Sequence, residues 1–174
     1  MNTRFLGAAR PGDGRRTVVR LLLAATLSTI VTIALAFGSP STASAASSAA
    51  SMAPSTYEKQ VQYWVNVKRK AHGLAPVRFA SCTDHVAERW AAYLADHNLF
   101  FHQSMQTALS RCDARYAGET LGRGDIRPRG LVRMWMHSDG HRAILLSRQA
   151  RRIGVGAKSD DYGRWVVAAN FMRF

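Results

Sequence analysis

The chemistry that this sequence suggests first centres on His141. It lies in LVRMWMHSDGHRAILL, residues 131–146, a pattern that predicts a helix with Trp135 buried, a halt at Asp139-Gly140 and then a second helical turn. His141 would stand at the start of that second turn, where unpaired N–H groups and the positive end of the helix dipole disfavour the imidazolium. The pattern therefore favours a neutral ring, which can bind a metal ion or accept a proton.

The other histidines give weaker signals. His137 precedes His141 by four residues, as in a zinc-binding helix. Gly140 is expected to interrupt the helix between them, however, and the Glu of a His-Glu-x-x-His protease is absent. We therefore interpret His137 as a surface residue, or as one that orients the groups around His141 without taking part in their chemistry. Three further histidines are expected to lie on solvated helix faces: His72, His85 and His97.

Cys82 and Cys112 are the chain's two cysteines, and both follow an apparent export signal. In an oxidising compartment such a pair is most simply a disulfide. A disulfide between them would close a loop of about 30 residues, which stabilises a fold by roughly 3–4 kcal/mol in the chain-entropy model. A metal site from two widely spaced cysteines is a weaker interpretation, and a catalytic thiol would leave the other cysteine unexplained.

The export signal is predicted over residues 1–45. Basic residues come first, residues 21–37 are apolar and uncharged, and Ala43-Ser44-Ala45 is a small-residue cleavage site. An uncleaved anchor is the alternative, because the apolar run approaches the length that spans a bilayer. Arg15-Arg16 also admits twin-arginine export, although general secretion fits the following residues better. Residues 46–56 are rich in Ala and Ser and predict a flexible tether.

The balance of charge is strongly basic. The chain has 24 Lys and Arg against 11 Asp and Glu, and removing the signal leaves 19 against 10, or +9. The arginines are scattered rather than interleaved with aromatics, and an exported protein rarely meets nucleic acid, so we expect no nucleic-acid partner. The charge indicates either an anionic envelope or lipid surface as partner, or only solubility. We expect a monomer.

Residues 57–174 have the length of one domain with a single core. A first helix is expected from the helical spacing of Tyr57, Val61, Trp64 and Val65, and it should stop near His72-Gly73. An extended connector should follow over residues 74–79. A second helix should begin with Ser81 as its N-cap and Asp84 three residues later.

Less regular chain follows that second helix, which should end near Asn98. Residues 99–125 show little periodicity, and a long irregular segment in a compact domain is usually functional. Pro128 suits the first turn of the helix that carries Trp135. Two strands joined by a turn at residues 159–163 close the chain as a hairpin, so the fold class is α+β with helices covering a small antiparallel sheet.

Six segments in order resemble the CAP superfamily, the group of cysteine-rich secretory proteins, antigen 5 and pathogenesis-related 1 proteins, in its small bacterial form. The resemblance covers residues 57–174 and implies the family's three-layer α/β/α sandwich. The segments are residues 65–69, His72-Gly73-Leu74-Ala75-Pro76-Val77, Phe100-Phe101-His102-Gln103-Ser104, Ala117-Gly118-Glu119, Trp135-Met136-His137-Ser138-Asp139-Gly140-His141-Arg142, and Ile153-Gly154-Val155-Gly156 with Trp165 and Phe171.

The resemblance implies a central cavity with two histidines, His102 and His141, and a first acid, Glu119. The second acid, which many eukaryotic members place three residues after the Trp, falls on Ser138, and Asp139 lies beside it. Losing one carboxylate weakens paired acid–base chemistry. Two neutral imidazoles can hold a divalent cation such as zinc, with either water alone or water and the carboxylate of Glu119 completing the shell, and the fold would not require the ion. The alternative is that both histidines only bond structural carbonyls.

Two functions follow from this site. The first is a non-catalytic, secreted or envelope-associated binding module for a lipid, a sterol or a surface partner. The second is a metal-dependent hydrolase, a peptidase or an enzyme acting on the envelope, with Glu119 as its catalytic group. The absence of a nucleophile beside a base favours the first function.

Overall fold

The structure is a computed structural model that describes residues 52–174, so the predicted signal of residues 1–45 lies outside the described residues. Within residues 52–174 it has five helices and four strands. None of these helices combines the length and the apolar composition needed to cross a bilayer. The elements are α1 (Pro54–Ala71), β1 (Arg78–Phe79), α2 (Ser81–Asp96), α3 (Met105–Cys112), β2 (Tyr116–Gly124), α4 (Pro128–Met136), α5 (Asp139–Leu145), β3 (Arg152–Ser159) and β4 (Trp165–Arg173).

The four strands form one sheet in the order β1-β3-β4-β2. β3 and β4 are the predicted hairpin, and β2 pairs antiparallel with β4. β1 pairs parallel with β3 through only two residues, so the sheet is mixed rather than purely antiparallel. The α+β class is confirmed.

β4 is buried on both faces of the sheet, which makes the fold three-layered. Because successive side chains of a strand point to opposite faces, alternate residues of β4 join two separate cores. Trp165, Val167 and Phe171 pack in the core that contains Tyr57 of α1 and Trp135 of α4. On the other face, Val166 and Ala168 pack with α2, and Met172 packs with α3. The sheet between two layers of helices matches the three-layer sandwich that the resemblance implies.

The expectation of an irregular segment over residues 99–125 is wrong. The segment contains α3 and all of β2, the strand that carries Glu119. Three glycines and Glu119 hid β2, since glycine and glutamate are depleted in strands. Gly122 is needed because α4 packs closely, and a Cβ there would lie 2.3 Å from Cδ1 of Leu131.

The break between the helices of the Trp135 segment also differs from the prediction. α4 ends at Met136, and the chain turns at His137 and Ser138, where Ser138 is extended. Asp139 and Gly140 do not halt a helix, because they form the first turn of α5. The backbone of Gly140 takes no positive φ, so the helix accommodates this glycine without a break.

The predicted cap of α2 is wrong as well. Ser81 is the first helical residue, and the N-cap is Ala80, whose side chain accepts no hydrogen bond. Asp84 instead reaches across to β3, where its Oδ1 accepts from the backbone N–H of Val155 at 3.0 Å.

The ends of α1 match the sequence pattern closely. The helix begins at Pro54, three residues before Tyr57, so the last residues assigned to the tether belong to its first turn. It ends at Ala71, near the predicted His72-Gly73 stop, and Gly73 has a φ of +67°.

Gly154 and Gly156 allow α2 to lie directly against β3. A Cβ on Gly154 would stand 2.1 Å from the backbone N of Asp84, and one on Gly156 would stand 2.4 Å from Cα of Glu88. We therefore expect Gly154→Ala to lower the free energy of unfolding by about 1–3 kcal/mol, the usual cost of overpacking. Urea unfolding measures this, with Gly163→Ala as a control that tests backbone strain without a close neighbour. An effect of Gly154→Ala near zero would show that the two layers can separate freely.

Two carboxylates cover the N–H groups of β3 that extend beyond the short strand β1. Glu58 Oε1 accepts from Ala157 N at 3.0 Å, and Asp84 serves Val155 in the same way. Burial raises the pKa of Glu58 to about 7, helped by the negative charges of Asp84 and Glu88.

This pKa predicts a pH dependence of stability. Unfolded Glu58 ionises near pH 4.5 whereas the folded residue holds its proton to about pH 7, so its stabilising contribution is complete below pH 4.5 and is lost as the pH rises to 7. Glu58→Gln keeps an acceptor oxygen for Ala157 and removes the titration. The melting temperature of wild type should therefore fall relative to this variant across that range. Parallel curves for the two proteins would contradict the assignment.

Candidate functional site

The loop that carries His102 is held at both of its sides. Trp90 of α2 donates from Nε1 to the carbonyl of Phe101 at 3.1 Å and meets its ring edge-on. On the other side, Arg123 of β2 donates to the carbonyl of Leu99 and lies over the ring of Phe100. The loop is thus fixed against both α2 and β2 before the histidine is reached.

Glu119 is the buried centre of the site, with only 3% of its surface exposed. Its Oε1 lies 2.8 Å from Nδ1 of His102 and accepts from the backbone N–H of Gln103 at 3.2 Å. Its Oε2 accepts from Nε2 of Gln103 at 2.5 Å. Three nitrogens of one loop therefore converge on a single carboxyl group.

Two opposing effects set the acidity of Glu119. Burial raises its pKa because the charged form loses its hydration, whereas the hydrogen bonds from Gln103 and His102 lower it. Burial is the larger effect, so the pKa is raised overall.

His141 is oriented by Ser138, the residue onto which the resemblance places the second acid of many eukaryotic members. Nδ1 of His141 lies 3.0 Å from Oγ of Ser138. The pKa of His141 is lowered, first by burial and second by the positive charge of His102. The direction agrees with the expectation of a neutral ring, although the causes are burial and a neighbouring charge.

The structure thus brings His102 and Glu119 into contact and places His141 within electrostatic reach of His102. Among residues 52–174, no group of three or more His, Cys, Asp or Glu side chains is arranged to hold a metal ion. Asp139 is exposed at the start of α5, and His137 is exposed as expected. A metal site shared by the two histidines stays a prediction.

Two polar residues of the site escaped the sequence analysis. Gln103 stood in the matched loop motif without a role, yet it supplies two of the three contacts to Glu119. Asn170 lies beside Glu119 in the sheet register, and its Oδ1 is 3.5 Å from Nε2 of Gln103. A single amide within the apolar strand β4 was the signal that could have identified it.

The disulfide between Cys82 and Cys112 is present, with an S–S distance of 2.01 Å. It joins the first turn of α2 to the last residue of α3.

The family can be decided by comparison, because residues 62–171 match the model of the CAP family, described as the cysteine-rich secretory protein family. The chain belongs to this family. A curated relative, the uncharacterized protein YkwD of Bacillus subtilis, is 34% identical over 110 residues, which are 59% of this chain and 42% of the relative. The chain therefore spans less than half the length of that relative.

Solved structures with the same CAP fold come from several bacteria. An extracellular protein of Bacillus anthracis containing an SCP domain superposes with a TM-score of 0.63 at 24% identity, covering 70% of this chain and 41% of that one. An outer surface protein of Borrelia burgdorferi gives a TM-score of 0.61 at 18% identity, covering 66% and 90%. At these identities the likeness concerns the fold of the CAP domain.

Proposed function

We propose that this CAP protein is an extracellular, non-catalytic binding module whose His102 and His141 can hold a divalent cation. The observation that carries the proposal is the burial of Glu119 and the hydrogen bonding of its carboxyl group. A carboxyl group that accepts three hydrogen bonds from one loop, and that is almost fully buried, is engaged in holding His102 and Gln103 in place. A hydrolase needs such a group free to reach a water or a substrate.

The histidine pair fits a metal ion in one respect. Each ring has its Nδ1 on an oxygen, Glu119 for His102 and Ser138 for His141. Metal-binding histidines typically have such a partner, which fixes the tautomer and leaves Nε2 for the ion. Two imidazoles provide fewer ligands than the three of catalytic zinc sites, so the donor set supports modest affinity with water completing the shell.

The bound partner we propose is a lipid, a sterol or a component of the cell surface. Attraction by the basic chain to an anionic envelope supports this choice. The bacterial proteins of similar fold described as extracellular or outer surface proteins support the proposed location. Native mass spectrometry of protein recovered from culture medium would show the partner that it carries.

Zinc titration by calorimetry tests the histidine pair. His102→Ala and His141→Ala should each remove most of the binding heat, because one imidazole alone is too few ligands. Affinity should also fall as the medium is acidified and protons occupy the ring nitrogens. Glu119→Gln should weaken binding less than either histidine substitution, since Glu119 orients His102 rather than touching the ion.

His137→Ala is the matched control, as it removes an exposed histidine two residues from the turn that begins α5. Wild-type affinity in both site variants would refute the histidine pair. Zinc-dependent hydrolysis of peptides or cell envelope that Glu119→Gln abolishes would refute the non-catalytic function and favour the hydrolase.

A further inference from the structure

One end of the sheet collects arginines because of the order of its strands. β1 and β3 are parallel, and β4 runs antiparallel to β3, so the starts of β1 and β3 meet the end of β4 at one edge. The residues at those positions are Arg78, which pairs with Arg152, then Arg151 immediately before β3, and Arg173 at the end of β4.

These four arginines line a cavity of about 420 Å³ at that edge, which we call the arginine groove. The remaining walls are apolar and come from Ala75, Pro76 and Phe174. The groove therefore combines a dense cluster of guanidinium groups with a small apolar surface.

The positive charge of the groove is not neutralised within the described domain. The ion pairs formed among residues 52–174 use other side chains, so none involves the four arginines. The charge of Arg151 is felt by Arg69, whose pKa is lowered by burial and then by this neighbour. Guanidinium groups held together without a salt-bridge partner form a ready binding site for an anion.

A second cavity of about 440 Å³ adjoins the groove and shares Arg152 and Phe174 with it. Ser81 and Cys82, the first residues of α2, line it as well. The N-cap residue Ala80 has no side chain that accepts from the first backbone N–H groups of α2. The positive end of this helix therefore adds to the positive potential of the arginines.

We propose that the arginine groove binds a phosphorylated anion that carries two or more negative charges. Guanidinium forks match the oxygens of phosphate in pairs. A single carboxylate would neutralise only one of the four charges, whereas a diphosphate or a clustered phosphodiester can meet several of them at once. Such a group is borne either by a phospholipid head group or by a soluble phosphorylated compound.

The arginine groove is independent of the histidine pair, because His102 and His141 do not line it. It goes beyond the proposed function by giving the anion a defined place on the chain, instead of a general attraction by net charge. Failure of zinc binding would leave the groove untouched, and the reverse also holds.

Calorimetry with pyrophosphate on the mature protein tests the groove, using the double variant Arg152→Gln/Arg173→Gln. Neither side chain makes a hydrogen bond within residues 52–174, so the fold should persist, and circular dichroism checks this. Saturable binding should weaken about tenfold or more, since each hydrogen bond to a charged group contributes about that factor. The control is Arg89→Gln/Arg133→Gln, which removes the same charge from exposed positions of α2 and α4.

The control variant should keep the wild-type affinity within about twofold, because charges far from the groove are screened at physiological salt. Absence of pyrophosphate binding to wild type, or an equal loss in both double variants, would overturn the proposal. Sedimentation with phosphatidylglycerol vesicles then separates the two sources. A lipid head group predicts that the groove variant alone detaches, whereas a soluble phosphate predicts that both variants sediment alike.

Discussion

Replacing Arg69 with methionine should lower the free energy of unfolding by about 2–6 kcal/mol, since two of the carbonyls to which it donates are buried and each buried carbonyl left without a donor costs about 1–3 kcal/mol. Arg69 lies on α1 with 1% of its surface exposed. Its guanidinium group donates to four backbone carbonyls, those of Ala75, Leu145, Ser147 and Ala150, at 2.7–3.2 Å.

The arrangement explains how a cation is buried without an acid. Leu145 is the last residue of α5, and Ser147 and Ala150 follow it, so the guanidinium lies at the negative end of that helix. One side chain thereby attaches α1 to the connector that follows it, to the end of α5 and to the chain that leads into β3. Methionine fills a similar volume but donates nothing, so all three attachments are lost together.

Urea unfolding of Arg69→Met measures the effect, and Lys70→Met is the matched control. It removes one positive charge from the next residue of the same helix, where the side chain is exposed. Arg69→Lys should fall between the two, because an ammonium group keeps the charge but cannot reach four carbonyls. Equal losses for Arg69→Met and Lys70→Met would show that the carbonyls find other donors.

The contribution of Arg69 also shows what sequence patterns miss. Apolar spacing predicts α1 from Tyr57, Val61, Trp64 and Val65, and all of these except the half-buried Trp64 are fully buried in the core. Arg69 continues the same spacing, yet its residue type indicated an exposed position. Its four partners lie 6 to 81 residues away, so only the tertiary fold can reveal them.

In the candidate site, too, the sequence indicated some of the residues and missed others. Motif resemblance identified His102, Glu119 and His141, and the structure places the first two in contact. The resemblance did not reveal that Gln103 would donate two hydrogen bonds to Glu119, because these depend on the path of the anchored loop. β2 escaped prediction for a related reason: Gly122 suits the packing of α4, a requirement that local propensity does not contain.

The disulfide is expected to have the next largest effect on stability. Replacing Cys82 and Cys112 together with serine should lower the free energy of unfolding by roughly 3–4 kcal/mol, from the entropy of the loop that the bond closes over 30 residues. The loss should be greatest locally in α3, which has eight residues and buries only Ala108. Helices of that length do not persist without packing or a covalent link.

Thermal unfolding of the double variant, of wild type and of reduced wild type tests this prediction. The reduced protein should melt at the temperature of the double variant, and reducing agent should leave the variant unchanged. Hydrogen exchange adds the local test: amides of α3 should exchange faster in the variant, while those of β4, buried on both faces of the sheet, should keep most of their protection. An unchanged melting temperature after reduction would mean that α3 is held by Ala108 and its neighbours alone. The 30-residue loop would then already be constrained in the unfolded chain.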